Sequence, residues 1–226
     1  MRWKGCGPLH RYLLFDLDGT LTDPAEGITK CVQYALASLG REKPRKEELY
    51  CYIGPPLAES FEKYGGLSEE EALLAVEKYR ERFREKGMFE NQVYPGIEEM
   101  LRSLNQAGKI LAVATSKPEV FAREILDHFQ LSGYFQEIVG SELDGTRMDK
   151  AEVIREAFSR LSLTGEETPL AVMVGDRKHD IIGAKKNGID SVGVAFGYGE
   201  EGELETAGAD RVADSVTALE ELLLEW

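Results

Sequence analysis

The stretch YLLFDLDGTLT at residues 12–22 decides the fold. Residues 12–15 form a continuous apolar run, short enough for a strand and apolar on both faces, as in a strand buried within a parallel sheet. Asp16 and Asp18 follow it at once. Two carboxylates that close, at the edge of a core, need a group that neutralises or uses them.

Similar runs recur at residues 110–114, 135–139, 170–174 and 192–196, and helical stripes separate them. One stripe is Ile97, Met100, Leu101 and Leu104, another Phe121, Ile125 and Phe129, a third Ile154, Ala157, Phe158 and Leu161. Strand alternating with helix predicts an α/β fold, a doubly wound, Rossmann-like parallel sheet with right-handed crossovers. From residue 23 to 93 the rhythm stops and helical signals replace it. Ile28, Val32, Ala35, Leu36 and Leu39 mark one helix closed by Gly40, and Ser68 with Glu71 forms a capping box that opens another. The expected organisation is a core domain of residues 1–22 and 94–226, with a helical cap domain of residues 23–93 inserted after the first strand.

Composition narrows the function. The 226 residues are 42% hydrophobic and 30% charged, which suits a folded globular chain. A net charge of -14 argues against nucleic-acid polymers and anionic membranes as partners, while leaving room for an anionic substrate where positive groups are local. Cys6, Cys31 and Cys51 have no metal-ligand spacing, no apolar stretch reaches 18 residues, and the basic MRWKGCGPLHR lacks the apolar segment of a signal peptide. A cytoplasmic protein is expected.

The chemistry lies at the ends of the apolar runs. An EF-hand reading of DLD fails, because position 6 of such a loop would be Leu21 and position 12 Gly27. Gly197, Gly199 and Gly202 spell a dinucleotide-like pattern, but Glu200 and Glu201 would repel a pyrophosphate, and too little chain follows for a nucleotide-binding unit. In contrast, VATSK at 113–117 and VMVGDRKHD at 172–180 both end predicted strands, and Lys150 opens a helix between them. All reach the carboxyl edge of a doubly wound sheet, where ligands bind. Asp16, Asp18 and Asp176 offer hard oxygen ligands for a cation such as Mg2+, and Thr115 with Lys150 and a helix N-terminus offers an anion pocket. Metal, anion pocket and carboxylate together point to phosphoryl transfer.

DLDGTLT, ATSK, Lys150 and GDRKHD resemble, in order, the four motifs of the haloacid dehalogenase-like superfamily, and the helical insertion resembles its C1-type cap. YIGPPL at 52–57, GSELDGTR at 140–147 and FGYG at 196–199 are similar to its phosphoglycolate phosphatase and 5'-nucleotidase branch. The resemblance implies that Asp16 is the nucleophile that forms an aspartyl-phosphate. Asp18 would protonate the leaving alkoxide and then deprotonate the hydrolytic water. Thr115 and Ser116, with Lys150, would hold the phosphoryl group. Mg2+ would be bound by Asp16, the Asp18 carbonyl and Asp176, with Asp180 supporting the metal's waters. Tyr52, Ile53 and Gly54 of the cap would read the leaving group.

Each role has a plainer counterpart. Asp180 suits a helix N-terminus, Ser116 with Glu119 fits a capping box, and YIGPPL serves equally as a link between helices. The expected partner is a small phosphorylated metabolite, first a nucleoside 5'-monophosphate and next 2-phosphoglycolate, handled by a monomer or homodimer. A phosphomutase on sugar phosphates carries the same motifs, a phosphonate hydrolase would need a Schiff-base lysine such as Lys30 or Lys63, and a non-catalytic binding module would need neither Asp18 nor Lys150.

Overall fold

A computed structural model describes residues 10–226. Cys6 and most of the basic N-terminal stretch lie outside the described residues. The first described strand is β1 (Tyr12–Phe15); the chain leaves it through a tight turn and enters the two-residue strand β2 (Thr22–Asp23). Helices α1 (Ala25–Ser38), α2 (Leu57–Gly65) and α3 (Glu69–Arg82) follow, with a 3-10 segment at Lys46–Tyr52 and a π-helical turn at Phe83–Gly87. β3 (Gln92–Val93) then pairs antiparallel with β2, so that the helical segment enters and leaves through one short ribbon. The sequence offered no buried strand there, because a two-residue ribbon carries no periodicity.

From this ribbon the chain alternates: α4 (Ile97–Gln106), β4 (Ile110–Pro118), α5 (Glu119–His128), β5 (Glu137–Ser141), α6 (Lys150–Arg160), β6 (Ala171–Gly175), α7 (Lys178–Lys186), β7 (Asp190–Val194), α8 (Glu203–Ala207), β8 (Arg211–Ala213) and α9 (Val216–Glu225). The six long-range strands form a parallel sheet in the order β5-β4-β1-β6-β7-β8. The predicted strands are all present. β5 begins two residues later than its apolar run because Phe135 closes a 3-10 turn, and β7 is displaced two residues earlier. The edge strand β8 escaped prediction, being three residues long with two of them exposed.

Side-chain alternation along β1 divides the core. Leu13 and Phe15 face a cluster with Ile97, Met100 and Leu101 of α4 and Leu219 and Leu223 of α9. Tyr12 and Leu14 face a second cluster with Val153, Ile154 and Ala157 of α6 and Ala184 of α7. Burying each such large side chain stabilises by about 1.5–3 kcal/mol, which fixes the register. The first cluster continues into Ile28, Val32, Phe61 and Ala75 of the helical segment, which therefore packs over one end of the sheet. Ser68 caps α3 through the predicted capping box, its hydroxyl accepting from the Glu71 N–H.

Candidate active site

Charged and hydroxyl groups meet where β1, β4 and β6 end. Asp16 follows β1 directly, its N–H donating to the Val174 carbonyl at 2.9 Å. Asp18 sits two residues on, inside a turn in which the Thr20, Leu21 and Thr22 N–H groups all converge on the Leu17 carbonyl. Asp16 and Asp18 are therefore set by a turn beyond the strand rather than by strand alternation. Leu17 is fully buried between them.

The turn requires Gly19. Its φ is +82°, and a Cβ there would lie 2.1 Å from Asp176 Oδ2. Gly197 and Gly199 also crowd Asp176, with hypothetical Cβ positions 2.3 Å from its Cβ and 2.4 Å from its carbonyl oxygen. Gly197 and Gly199 of the dinucleotide-like spacing thus serve close packing around Asp176, while Gly202 has open space beside it.

Asp16, Asp176 and Asp180 bring carboxylate oxygens within 4.8 Å of one another, all buried. Lys150, at the first turn of α6, reaches between them: its Nζ lies 2.9 Å from Asp16 Oδ1, 2.8 Å from Asp180 Oδ1, and donates to the Ala114 carbonyl at 3.0 Å. Burial pulls the Lys150 ammonium down, but Asp16 and Asp180 outweigh it and hold it above its ordinary value. Asp180 takes the plainer part expected of it, its Oδ2 accepting the Arg177 N–H at 3.1 Å and capping α7, while its Oδ1 faces Lys150.

The electrostatics call for a cation. Burial, then the charges of Asp180 and Asp16, push Asp176 well above the usual carboxylate range. Burial likewise pushes Asp180 up to about 6, against the pull of Lys150. The Tyr198 N–H binds Asp176 Oδ2 at 2.7 Å, whereas Asp176 Oδ1 is buried without a hydrogen-bond or ion-pair partner among the described residues. A hard oxygen donor set that carries an unpartnered buried oxygen fits a divalent cation.

The anion side is built by a register irregularity between Ala114 and Pro118 of β4, where Thr115, Ser116 and Lys117 emerge. Thr115 is buried and its hydroxyl accepts from the Lys117 N–H at 3.3 Å. Ser116 makes no capping box with Glu119: α5 starts at Glu119 behind Pro118, and the Ser116 hydroxyl donates to the Met148 carbonyl at 3.3 Å. Pro118, lacking an N–H and fixing its own φ, delays the helix past Ser116.

Above these groups lies a cavity of about 280 Å³ between sheet edge and helical segment. Asp16, Asp18, Thr115 and Lys117 form its polar end; Val76, Tyr79 and Phe83 of α3 and its π turn, with Phe121, form an apolar wall. Of the three cap residues named from sequence, Tyr52 and Gly54 line it. The Ile53 side chain is fully buried in the core cluster and does not; its carbonyl instead accepts from Arg177 Nη1 at 2.6 Å. Arg177 and Lys117 are the residues that sequence reasoning left without roles. Both stood inside motif runs already singled out, and neither run says where a long side chain turns.

Residues 13–194 match the family model described as haloacid dehalogenase-like hydrolase. The chain is 48% identical over 211 residues to a 5'-nucleotidase of Pseudomonas aeruginosa, covering 93% of this chain and 94% of that protein. It is 42% identical over 194 residues to the tyrosine-protein kinase PtkA of Mycobacterium tuberculosis, covering 85% of this chain and 65% of the longer relative. A solved structure of a predicted phosphatase from Clostridium acetobutylicum superposes with a TM-score of 0.91 at 48% identity, covering 96% of this chain and 99% of that one.

Proposed function

The chain belongs to the haloacid dehalogenase-like hydrolases and is a phosphatase of that family; from this premise we propose a Mg2+-dependent phosphomonoesterase that works through an aspartyl-phosphate. The observation that carries the reading is buried Lys150 Nζ lying within 3 Å of both Asp180 and Asp16, the latter lining the cavity. A lysine so placed keeps a carboxylate and a phosphoryl group together without itself reacting.

In the first half-reaction an Asp16 carboxylate oxygen attacks phosphorus while the bond to the ester oxygen breaks. Asp18 gives its proton to the departing alkoxide, work worth roughly 10²- to 10⁴-fold. Thr115 and Lys150 hold the phosphoryl oxygens, with Ser116 beside them. In the second, Asp18 takes a proton from the water that attacks phosphorus, and phosphate leaves with Asp16 restored. Asp16, Asp176 and the Asp18 carbonyl would hold the Mg2+, with Asp180 behind its waters; when bound it neutralises the carboxylates and polarises the phosphoryl group.

We read residues 23–93 as a cap that closes over this site, and the substrate as a small phosphorylated metabolite. A nucleoside 5'-monophosphate suits the aromatic wall better than 2-phosphoglycolate, whose short acidic leaving group would leave that wall unfilled. The 5'-nucleotidase relative agrees with this choice.

A phosphatase screen over a metabolite panel with Mg2+, with Asp16→Asn in parallel, tests the function. The expected result is phosphate release, fastest from a nucleotide, and its loss in Asp16→Asn with an unchanged circular dichroism spectrum. No release from any ester would overturn the reading. Transfer to an acceptor hydroxyl without release would favour the phosphomutase alternative, and would bring the kinase relative back into view.

A further inference from the structure

The two oxygens of the Asp18 carboxylate have unlike surroundings. Oδ2 accepts from Lys117 Nζ at 2.5 Å, whereas Oδ1 is buried with no hydrogen-bond or ion-pair partner among the described residues. Lys117 is itself enclosed. Its side chain is 7% exposed, and its Nζ stands 4.8 Å from the centroid of the Phe83 ring. A lysine has a long, flexible stem and a compact charge, so on its own it makes a loose clamp. An aromatic face beneath the ammonium attracts it and limits where it can go.

Phe83 comes from the other side of the cavity. It opens the π turn Phe83–Gly87 at the end of α3, stacks on Tyr79 with ring centroids 5.4 Å apart, and meets Phe121 edge-on at 5.3 Å. Single π turns of this kind recur at functional positions because they redirect one side chain within a helix. The sequence of contacts Asp18, Lys117, Phe83 therefore runs from the turn after β1, through the end of β4, into the helical segment.

We infer that Lys117 is a positioning residue for Asp18, and that Phe83 makes its hold depend on the cap being seated. The inference rests on the reading of Asp18 as the acid and base of the reaction. With Oδ2 tied to Lys117, Oδ1 is the oxygen left without a partner and free to carry the proton. As the bond from Asp16 to phosphorus forms and the ester bond breaks, the electron pair of the broken bond goes to the ester oxygen. That oxygen takes its proton from Asp18 Oδ1. Withdrawal of the cap removes the ring from Lys117, and Asp18 loses its aim.

The measurement is kcat/KM, which reports the steps up to release of the alcohol. Two substrates are compared: p-nitrophenyl phosphate, whose phenolate departs without needing a proton, and the alkyl ester that the wild-type protein turns over fastest in the metabolite panel. Asp18→Asn provides the reference and should lose far more on the alkyl ester than on the aryl ester. Lys117→Met should show the same split, with a loss of about 100-fold on the alkyl ester and less than about threefold on the aryl one. Phe83→Leu should show the split at roughly tenfold, and Phe83→Tyr, which keeps the ring, should restore most of the alkyl activity.

Equal losses on both esters in Lys117→Met and Phe83→Leu would overturn the inference, since a merely structural or substrate-binding role affects both alike. An Asp18→Asn protein without the split would overturn the acid and base reading instead, whatever Lys117 does. A wild-type protein that hydrolyses no alkyl ester would overturn the proposed function itself.

Discussion

The carboxyl edge of the sheet and the helical face above it enclose one cavity by opposite means. At the sheet edge each reactive group is placed by backbone: Asp16 by the end of β1, Lys150 by the first turn of α6, Asp176 by the end of β6. Almost every one of them touches another charge. On the helical face Val76 and Tyr79 are placed by helix spacing, and what they offer the cavity is shape; Phe83, aimed by the π turn, is the exception, because its ring also meets Lys117. The edge is intolerant because moving any backbone element breaks several charge contacts together. The face is replaceable, because an apolar side chain of another size still folds and still excludes water. On the proposed reading, chemistry is fixed at the edge, and discrimination among substrates is left to the face.

The most damaging test of this contrast adds a single methyl group at the edge. Gly19→Ala would place its Cβ against Asp176 Oδ2 at 2.1 Å, in a turn whose φ of +82° already costs an L-residue about 1–2 kcal/mol. Asp176 must then move by around an ångström, a displacement that lowers catalysis by about 100-fold or more. The expected outcome is a folded protein with kcat reduced by at least that factor on every substrate in the panel. Retention of most of the activity would mean that the edge is as forgiving as the face.

A second test uses protons and metal. Burial raises Asp176 and Asp180 in the fold, so the native chain holds their protons to higher pH than the unfolded chain does. Their contribution to stability is complete below the unfolded value, near pH 4. It is lost as pH climbs through the folded values, about 6 for Asp180. A bound cation stabilises the ionised forms and offsets that loss. Adding Mg2+ at about 100 times its Kd, worth about 2.7 kcal/mol, should raise Tm by roughly 5–10 °C near pH 7.5. Near pH 5, where protons compete for the same oxygens, the gain should be less than half as large. Equal gains at both pH values, measured by differential scanning fluorimetry, would place the metal away from these carboxylates.

The same contrast explains what the sequence made legible. At the edge, chemical type and position coincide: a charged or hydroxyl residue directly after an apolar run can only lie at a strand end. Asp16, Thr115 and Asp176 were readable for that reason, and Lys150 because it opens a helix between two such runs. Lys117 and Arg177 have the same backbone placement, but their work is done four or more bonds away, where Phe83 and the Ile53 carbonyl happen to lie. Those partners come from another segment, 34 residues from Lys117 and 124 residues from Arg177, and no local pattern announces them. The capping box at Ser68 formed because nothing competed with it, whereas the one at Ser116 failed because Pro118 intervenes. The helical face was legible only as helices, since the turn that aims Phe83 depends on hydrogen bonding rather than on composition.

The finest test asks whether two adjacent residues of the face differ as their placement requires. Tyr52 lines the cavity, with its ring edge-on to Phe61 at 5.3 Å, while the neighbouring Ile53 side chain is fully buried and lines nothing. Tyr52→Leu should alter the ratio of kcat/KM between nucleotide and short-chain esters by a few-fold, the scale of one lost aromatic contact of about 0.5–1.5 kcal/mol. Ile53→Val should leave that ratio unchanged and instead lower stability by about 0.5–1.5 kcal/mol, the cost of one buried methylene. The backbone of Ile53 keeps its bond to Arg177 in either case, so the loop stays docked and the comparison isolates the side chains. If Ile53→Val shifted the substrate profile as much as Tyr52→Leu, discrimination would belong to the packing of the loop as a body. The face would then be no more replaceable than the edge.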